Sequence, residues 1–77
     1  GNVGIGTASP THPLTVDGAI AMLEKSADPT QPTEGQCVMW MSDGTGKGDD
    51  GDVLIASNAA GTTKYTTLFD HSAGDAW

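Results

Sequence analysis

The apolar run QCVMWM, Gln36–Met41, is the strongest indication of the fold in this sequence. In a strand, successive side chains point to opposite faces. Both faces are apolar here, with Cys37, Met39 and Met41 on one and Val38 and Trp40 on the other. This pattern predicts a strand that is covered on both sides, or one that contacts another chain.

Further short strands are predicted on both sides of this run, because apolar and β-branched residues are bounded by turn residues. They are Val3–Ile5, Leu14–Val16, Val53–Ile55 and Thr62–Phe69, with a turn at Asn58–Gly61. Asp17-Gly18 is typical of a hairpin turn, which makes Ala19–Leu23 the returning strand. The overlapping stretch Ala19–Lys25 also fits a helix of about two turns, and periodicity does not separate the two interpretations.

The composition leaves little material for a core. Only 12 of the 77 residues are Leu, Ile, Val or Phe, which is below the roughly 20% expected of a folded chain. Cys37 is the only cysteine, so an internal disulfide and a cysteine-based zinc site are excluded. A small monomeric β-sandwich or barrel needs more apolar residues than these. The composition therefore favours an intertwined homo-oligomer whose core lies on the symmetry axis.

The charge balance excludes two classes of partner. Ten Asp and Glu against three Lys give a net charge of -7, which argues against nucleic acid and against an anionic membrane surface. No apolar run approaches the roughly 18 residues of a membrane span. The sequence begins at Gly1 without an initiator Met, which indicates a piece of a longer or processed protein.

The acidic loop DGTGKGDDGD, residues 43–52, is the candidate metal site. Its carboxylates Asp43, Asp49, Asp50 and Asp52 are the oxygen ligands that Ca²⁺ prefers. The EF-hand pattern fails, because Thr45 and Lys47 stand where ligands are required. A solvated hairpin loop is the favoured interpretation, and the sequence predicts no cofactor unless this loop binds Ca²⁺.

No catalytic residue is predicted. Asp70, His71 and Ser72 are sequence neighbours, and neighbours do not form a triad by adjacency, because a nucleophile needs a base within hydrogen-bond reach. Trp40 and Tyr65 are candidate stacking platforms for a glycan. A single aromatic residue in an apolar strand is more often part of a core.

The N-terminal stretch GNVGIGTASP, Gly1–Pro10, followed by Leu14, Val16, Gly18 and Ile20, resembles a motif of bacteriophage tail fibres and tailspikes. In those proteins the motif often precedes an S74-type intramolecular chaperone, and it also occurs in some bacterial surface proteins. The middle of the chain is similar to these fibres as well. The similar stretches are Ser26–Pro32, Gly35, Gln36–Met41, Ser42–Gly44, Val53–Ile55 and Thr62–Leu68.

The resemblance implies a parallel homotrimer of interwoven strands. With the shortage of core residues, it predicts an all-β fold of short strands, intertwined in a parallel homotrimeric fibre or collar-like β-prism. Residues 1–24 are then a glycine-rich fibre-shaft segment, 25–35 a proline-containing linker loop, and 36–77 a small β-domain with the acidic hairpin loop. The predicted trimer core consists of Val3, Ile5, Leu14, Val16, Ile20, Val38, Trp40, Leu54, Leu68 and Phe69.

The function predicted on these grounds is structural. The chain is expected to be a segment of a trimeric viral tail fibre or adhesin that positions a host-attachment tip, located in the virion tail and extracellular. Its expected partners are two further copies, other virion tail proteins, and a host cell-surface glycan or protein receptor. The alternatives are a glycan-binding module of the same fibre, another extracellular filament protein and, last, a hydrolase for which no carboxylate pair can be named.

Overall fold

The computed structural model describes all 77 residues, and strands account for 38% of them. No element is an α-helix, so the predicted all-β class is confirmed. Nor is any helix long and apolar enough to cross a membrane. The elements are β1 (Val3–Ile5), β2 (Leu14–Val16), β3 (Glu24–Lys25), β4 (Cys37–Ser42), β5 (Val53–Ala59), β6 (Thr62–Phe69) and a 3₁₀ turn (His71–Ala73).

Strands β1 and β2 form a separate two-stranded sheet, called here the N-terminal ribbon. The two strands are parallel, with Val3 opposite Leu14 and Ile5 opposite Val16. The backbone N–H of Asp17 donates to the carbonyl of Ile5 over 2.8 Å, which closes the ribbon at its far end.

The predicted hairpin at Asp17-Gly18 is wrong. Residues Ala19–Leu23 form neither a strand nor a helix. The chain instead turns directly after β1, where Gly6 has a φ of 75°. A Cβ at Gly6 would lie 2.7 Å from the carbonyl oxygen of Asp17, so only glycine permits this close approach. The loop that follows returns the chain to the start of β1, and β2 therefore runs parallel to β1.

The other four strands form the C-terminal sheet, in the order β3-β4-β5-β6. Strand β3 is parallel to β4, and the remaining two pairs are antiparallel. The predicted strand Val53–Ile55 continues to Ala59, so the turn before β6 is shorter than predicted. It consists of Ala60 and Gly61 with φ values of 52° and 77°. Two successive residues with positive φ are the signature of a type I′ hairpin, whose twist matches that of its strands.

The buried core lies on one face of the C-terminal sheet. Trp40 of β4 is opposite Leu54 of β5, and these two side chains with Ala56 are the only buried hydrophobic residues. The 43–52 loop folds over this face. Gly48 has a φ of 79°, and a Cβ there would lie 2.8 Å from a methyl group of Leu54. The loop thus covers the core at a position that has no room for a side chain.

The molecule is flat and open for its mass. Its accessible surface is 5722 Å², whereas a folded monomer of 7.8 kDa exposes about 4,400 Å². The radius of gyration is 14.8 Å, against about 11.5 Å for a compact domain of this length. The extents are 40 × 38 × 19 Å. A single copy therefore leaves much of its surface uncovered.

The residues predicted to line a trimer core divide into two groups in a single chain. Trp40 and Leu54 are buried, Val38 packs against them, and Val16 is half-buried. The others are exposed: Val3, Ile5, Leu14, Ile20, Leu68 and Phe69. Their contact with further copies stays a prediction.

Candidate functional site

The 43–52 loop is held by hydrogen bonds in which polar side chains of the loop and of Ser42, just before it, accept from the backbone. Asp43 Oδ1 accepts from the N–H of Thr45 over 2.9 Å, and Ser42 Oγ accepts from the N–H of Gly44 over 3.0 Å. Gly44 has a φ of 93°. The loop is therefore ordered by its own sequence, through short-range Asx-type bonds.

Asp52 is the buried member of this acidic set, with 4% of its surface exposed. Oδ2 accepts from the N–H of Asp49, and Oδ1 accepts from the N–H of His71, each over 3.0 Å. The first bond closes the loop, and the second fastens the C-terminal 3₁₀ turn to it. A carboxylate that accepts two backbone N–H bonds is well compensated for its burial.

Two further carboxylates connect the proline-containing loop to the sheet. Asp28 Oδ1 accepts from the N–H of Lys47 over 2.9 Å, which ties this loop to the tip of the 43–52 loop. Glu34 accepts from both residues of the β5–β6 turn, from Ala60 N–H over 3.1 Å and Gly61 N–H over 2.8 Å. Sequence reasoning missed both roles. The partners lie 19 to 27 residues away, and no local pattern marks them.

The four predicted calcium ligands do not converge. The structure contains no group of three or more His, Cys, Asp or Glu side chains placed to hold a metal ion. Asp43 and Asp52 direct carboxylate oxygens at backbone N–H donors, and the side chain of Asp50 is exposed. In this conformation the loop is organised by backbone hydrogen bonds, and calcium binding stays a prediction.

The two aromatic residues predicted to contact a glycan have different surroundings. Trp40 is 3% exposed, so its ring offers no face to a sugar. Tyr65 on β6 is 55% exposed, and the Lys47 ammonium lies 4.6 Å from the centre of its ring. This is cation–π distance. An open cavity of about 210 Å³ is lined by Ile55, Ser57, Lys64, Tyr65 and Thr66.

Asp70, His71 and Ser72 form a turn cap. Asp70 Oδ1 accepts from the Ser72 backbone N–H over 3.0 Å and from the Ser72 hydroxyl over 2.7 Å. The hydroxyl bond is the main cause that lowers the pKa of Asp70 below its usual value. The His71 ring lies edge-on to Phe69, with 6.2 Å between centroids. The serine hydroxyl donates to the carboxylate, which is the arrangement of a cap.

Large apolar side chains are exposed at both ends of the chain and along its strands. Ile20 is 69% exposed and Leu23 is 90% exposed, and neither belongs to a strand. The residues of the N-terminal ribbon are similar, at 55% for Val3 and Ile5 and 58% for Leu14. Exposed apolar groups gathered in patches are typical of contact surfaces.

Comparisons with known proteins give no relative. No protein-family model matches the chain, and neither a curated protein nor a solved structure matches it significantly.

Proposed function

We propose that this chain is a structural segment of a homotrimeric viral tail fibre or adhesin, which positions a host-attachment tip. The observation that carries the proposal is the large uncovered surface. One copy exposes about 1,300 Å² more than a compact monomer of its mass. A standard interface buries about 800 Å² per partner, so the excess is enough for contact with a neighbouring copy.

The distribution of apolar residues supports the same proposal. Three hydrophobic residues are buried, whereas eleven large ones are exposed. Those in the N-terminal ribbon belong to the tail-fibre-like motif Gly1–Pro10 and the residues that follow it. A two-stranded sheet with strands of three residues is marginal in water without a covering layer. Parallel copies around an axis supply that layer.

The test is the mass in solution, measured by light scattering during size-exclusion chromatography. We expect a mass near three times 7.8 kDa. A folded species near 7.8 kDa at all accessible concentrations contradicts the proposal. The same measurement with a calcium chelator tests the acidic loop, because a fall in mass caused by the chelator alone would identify a cation that holds the copies together.

A second candidate function is glycan binding by the same fibre, and the exposed ring of Tyr65 favours it. The ring lies beside the cavity that Ser57, Lys64 and Thr66 line with polar groups. An aromatic face next to hydrogen-bonding side chains is the usual composition of a small-molecule site. A Tyr65→Ala chain that keeps its mass and loses binding to host cells or to a glycan array supports this function.

The matched control is Trp77→Ala, which also removes an exposed aromatic ring but does not line the cavity beside Tyr65. If both variants bind as the unmodified chain does, the role of the segment is scaffolding alone.

A further inference from the structure

Strand β6 leaves one long edge of the C-terminal sheet unpaired. It pairs with β5 only, and all eight of its residues are exposed. Alternate residues of an edge strand direct N–H and C=O groups away from the sheet, where a further strand can pair with them. Natural edges are usually protected by proline, charge or a bulge. In β6, Lys64 is the only charged residue. The only register shift in its pairing with β5 lies between Val53 and Leu54, opposite the last residues of β6. Thr62–Thr67 is therefore a regular free edge.

The segment Ala19–Leu23 has the complementary property. Its five residues are all apolar, and none of them makes a backbone hydrogen bond. Ile20 is 69% exposed and Leu23 is 90% exposed. It contains no charge, proline or glycine, so nothing in its sequence prevents it from pairing as a strand. A segment of this kind in water leaves both its apolar side chains and its pairing groups without partners from the protein.

The free edge of β6 and the segment Ala19–Leu23 lie at opposite edges of the same sheet. The segment leads directly into β3, and the order β3-β4-β5-β6 puts β3 at one edge and β6 at the other. They are therefore separated in one copy by the width of the sheet, but adjacent copies placed head to tail bring them together. Such a contact closes into a ring when the rotation between copies permits it.

The strand directions are compatible with this contact. Strand β3 is parallel to β4, and two successive antiparallel pairings give β6 the direction of β4. Copies arranged around an axis along the strands then present β6 and the segment before β3 in parallel. Each copy in such a ring makes two contacts, so the uncovered area of about 1,300 Å² per copy supplies about 650 Å² for each, close to the roughly 800 Å² of a standard interface.

We propose that Ala19–Leu23 of one copy adds a strand to the free edge of β6, at Thr62–Thr67, in a second copy. This inference rests on the proposed homotrimer and names the contact that holds it together. The contact explains why a stretch with the sequence of a strand has no partner within its own chain.

Hydrogen exchange gives the first test. Amides of 19–23 have no acceptor in a single copy, so pairing slows their exchange on the order of tenfold or more at concentrations where the chain is assembled. Ile20→Asp with Leu23→Asp abolishes this protection and lowers the mass, because both changes put charges into the contact. The control Trp77→Asp, which also charges an exposed apolar site, leaves protection and mass unchanged.

Disulfide trapping gives the second test, in a Cys37→Ser background. Ala21→Cys is combined in turn with Thr62→Cys, Lys64→Cys or Thr66→Cys, and at least one pair is expected to crosslink between copies. A disulfide needs Cα atoms within about 7 Å, and Ala73 lies beyond the end of β6, so the control pair Ala21→Cys with Ala73→Cys is expected to give no crosslink. A chain that is trimeric but shows no protection at 19–23 and no crosslink overturns this contact and leaves the trimer standing. A chain that is monomeric throughout overturns both proposals.

Discussion

The N-terminal ribbon and the C-terminal sheet are built from the same kind of short strand but are stabilised differently. In the sheet, Trp40 and Leu54 are buried, and three carboxylates from two loops accept backbone hydrogen bonds. In the ribbon no side chain is buried, and Val3 and Ile5 are each 55% exposed. The sheet therefore carries its own core, whereas the ribbon has apolar residues without a layer to cover them. Apolar residues in a strand therefore form a core only where a second layer of the structure covers them.

The largest expected effect on stability is that of replacing the buried leucine of the core. Leu54 is fully buried, and Leu54→Ala removes packing against Trp40, at a cost of about 2–5 kcal/mol in the free energy of unfolding. Leu14→Ala in the ribbon, where the side chain is 58% exposed, changes it by less than about 0.5 kcal/mol in a single chain. Urea unfolding followed by Trp40 fluorescence, in a Trp77→Phe background, measures both. Equal effects at the two positions contradict the contrast between ribbon and sheet.

The second effect concerns the buried carboxylate of Asp52. In Asp52→Asn an amide NH₂ faces the N–H of Asp49 or of His71, which leaves a buried donor without an acceptor. We expect a loss of about 1–3 kcal/mol in thermal or urea unfolding. Asp50→Asn makes the same chemical change at an exposed position of the loop and is expected to cost less than about 0.5 kcal/mol. If the two variants unfold alike, Asp52 does not fasten the C-terminal turn.

The third expected effect is an increase, not a decrease, in the free energy of unfolding. Ala60 has a φ of 52° in the β5–β6 turn, a conformation that is strained for alanine and preferred by asparagine in a type I′ hairpin. Ala60→Asn is therefore expected to stabilise the sheet by up to about 1 kcal/mol, because the left-handed conformation costs most residues about 1–2 kcal/mol and costs asparagine less. A rise in the unfolding midpoint with an unchanged slope confirms this expectation. Ala59→Asn, one residue earlier in the strand, is the control and gives no gain.

The smallest effect depends on pH. The pKa of Asp70 is lowered, first by the hydrogen bond from the Ser72 hydroxyl. A carboxyl whose pKa is lower in the folded state contributes stability that is present above its unfolded pKa and lost as the pH falls through the folded value. Ser72→Ala is expected to raise the pKa of Asp70 towards its ordinary value, as followed by NMR titration of the Asp70 carboxyl carbon. An unchanged titration in that variant contradicts the assigned cause.

Local patterns in the sequence predicted five of the six strands but not how the strands pair. Val3–Ile5, Leu14–Val16 and Thr62–Phe69 lie where local patterns predict them, because β-branched and aromatic residues between glycines suit a pleated surface. The parallel pairing of the ribbon was missed, because it depends on how closely Gly6 approaches Asp17. Strand β3 was missed because two residues carry no periodicity.

The candidate site was harder to predict for a related reason. The acidic loop is conspicuous in the sequence, but the backbone N–H groups that donate to Asp28 and Glu34 lie far along the chain. Asp52 accepts one hydrogen bond from distant His71 and one from Asp49 within the loop. Composition predicts where charge accumulates and does not predict which backbone donors the fold will bring to it. The burial of Trp40, which removes its ring from the surface, likewise depends on tertiary packing, because Trp40 lies opposite Leu54 in the small core of the sheet.

The parallel course of β1 and β2 has a mechanical consequence. The chain enters the ribbon at Val3 and leaves it at Asp17, at the opposite end, and both ends are closed by hydrogen bonds of 2.7 and 2.8 Å. Tension along the chain therefore acts in shear and loads all the bonds of the ribbon together. In the β5–β6 hairpin the chain enters and leaves at the same end, so tension there breaks bonds one after another. The ribbon, which has no buried side chain, thus has a geometry that resists stretching better than that of the β5–β6 hairpin.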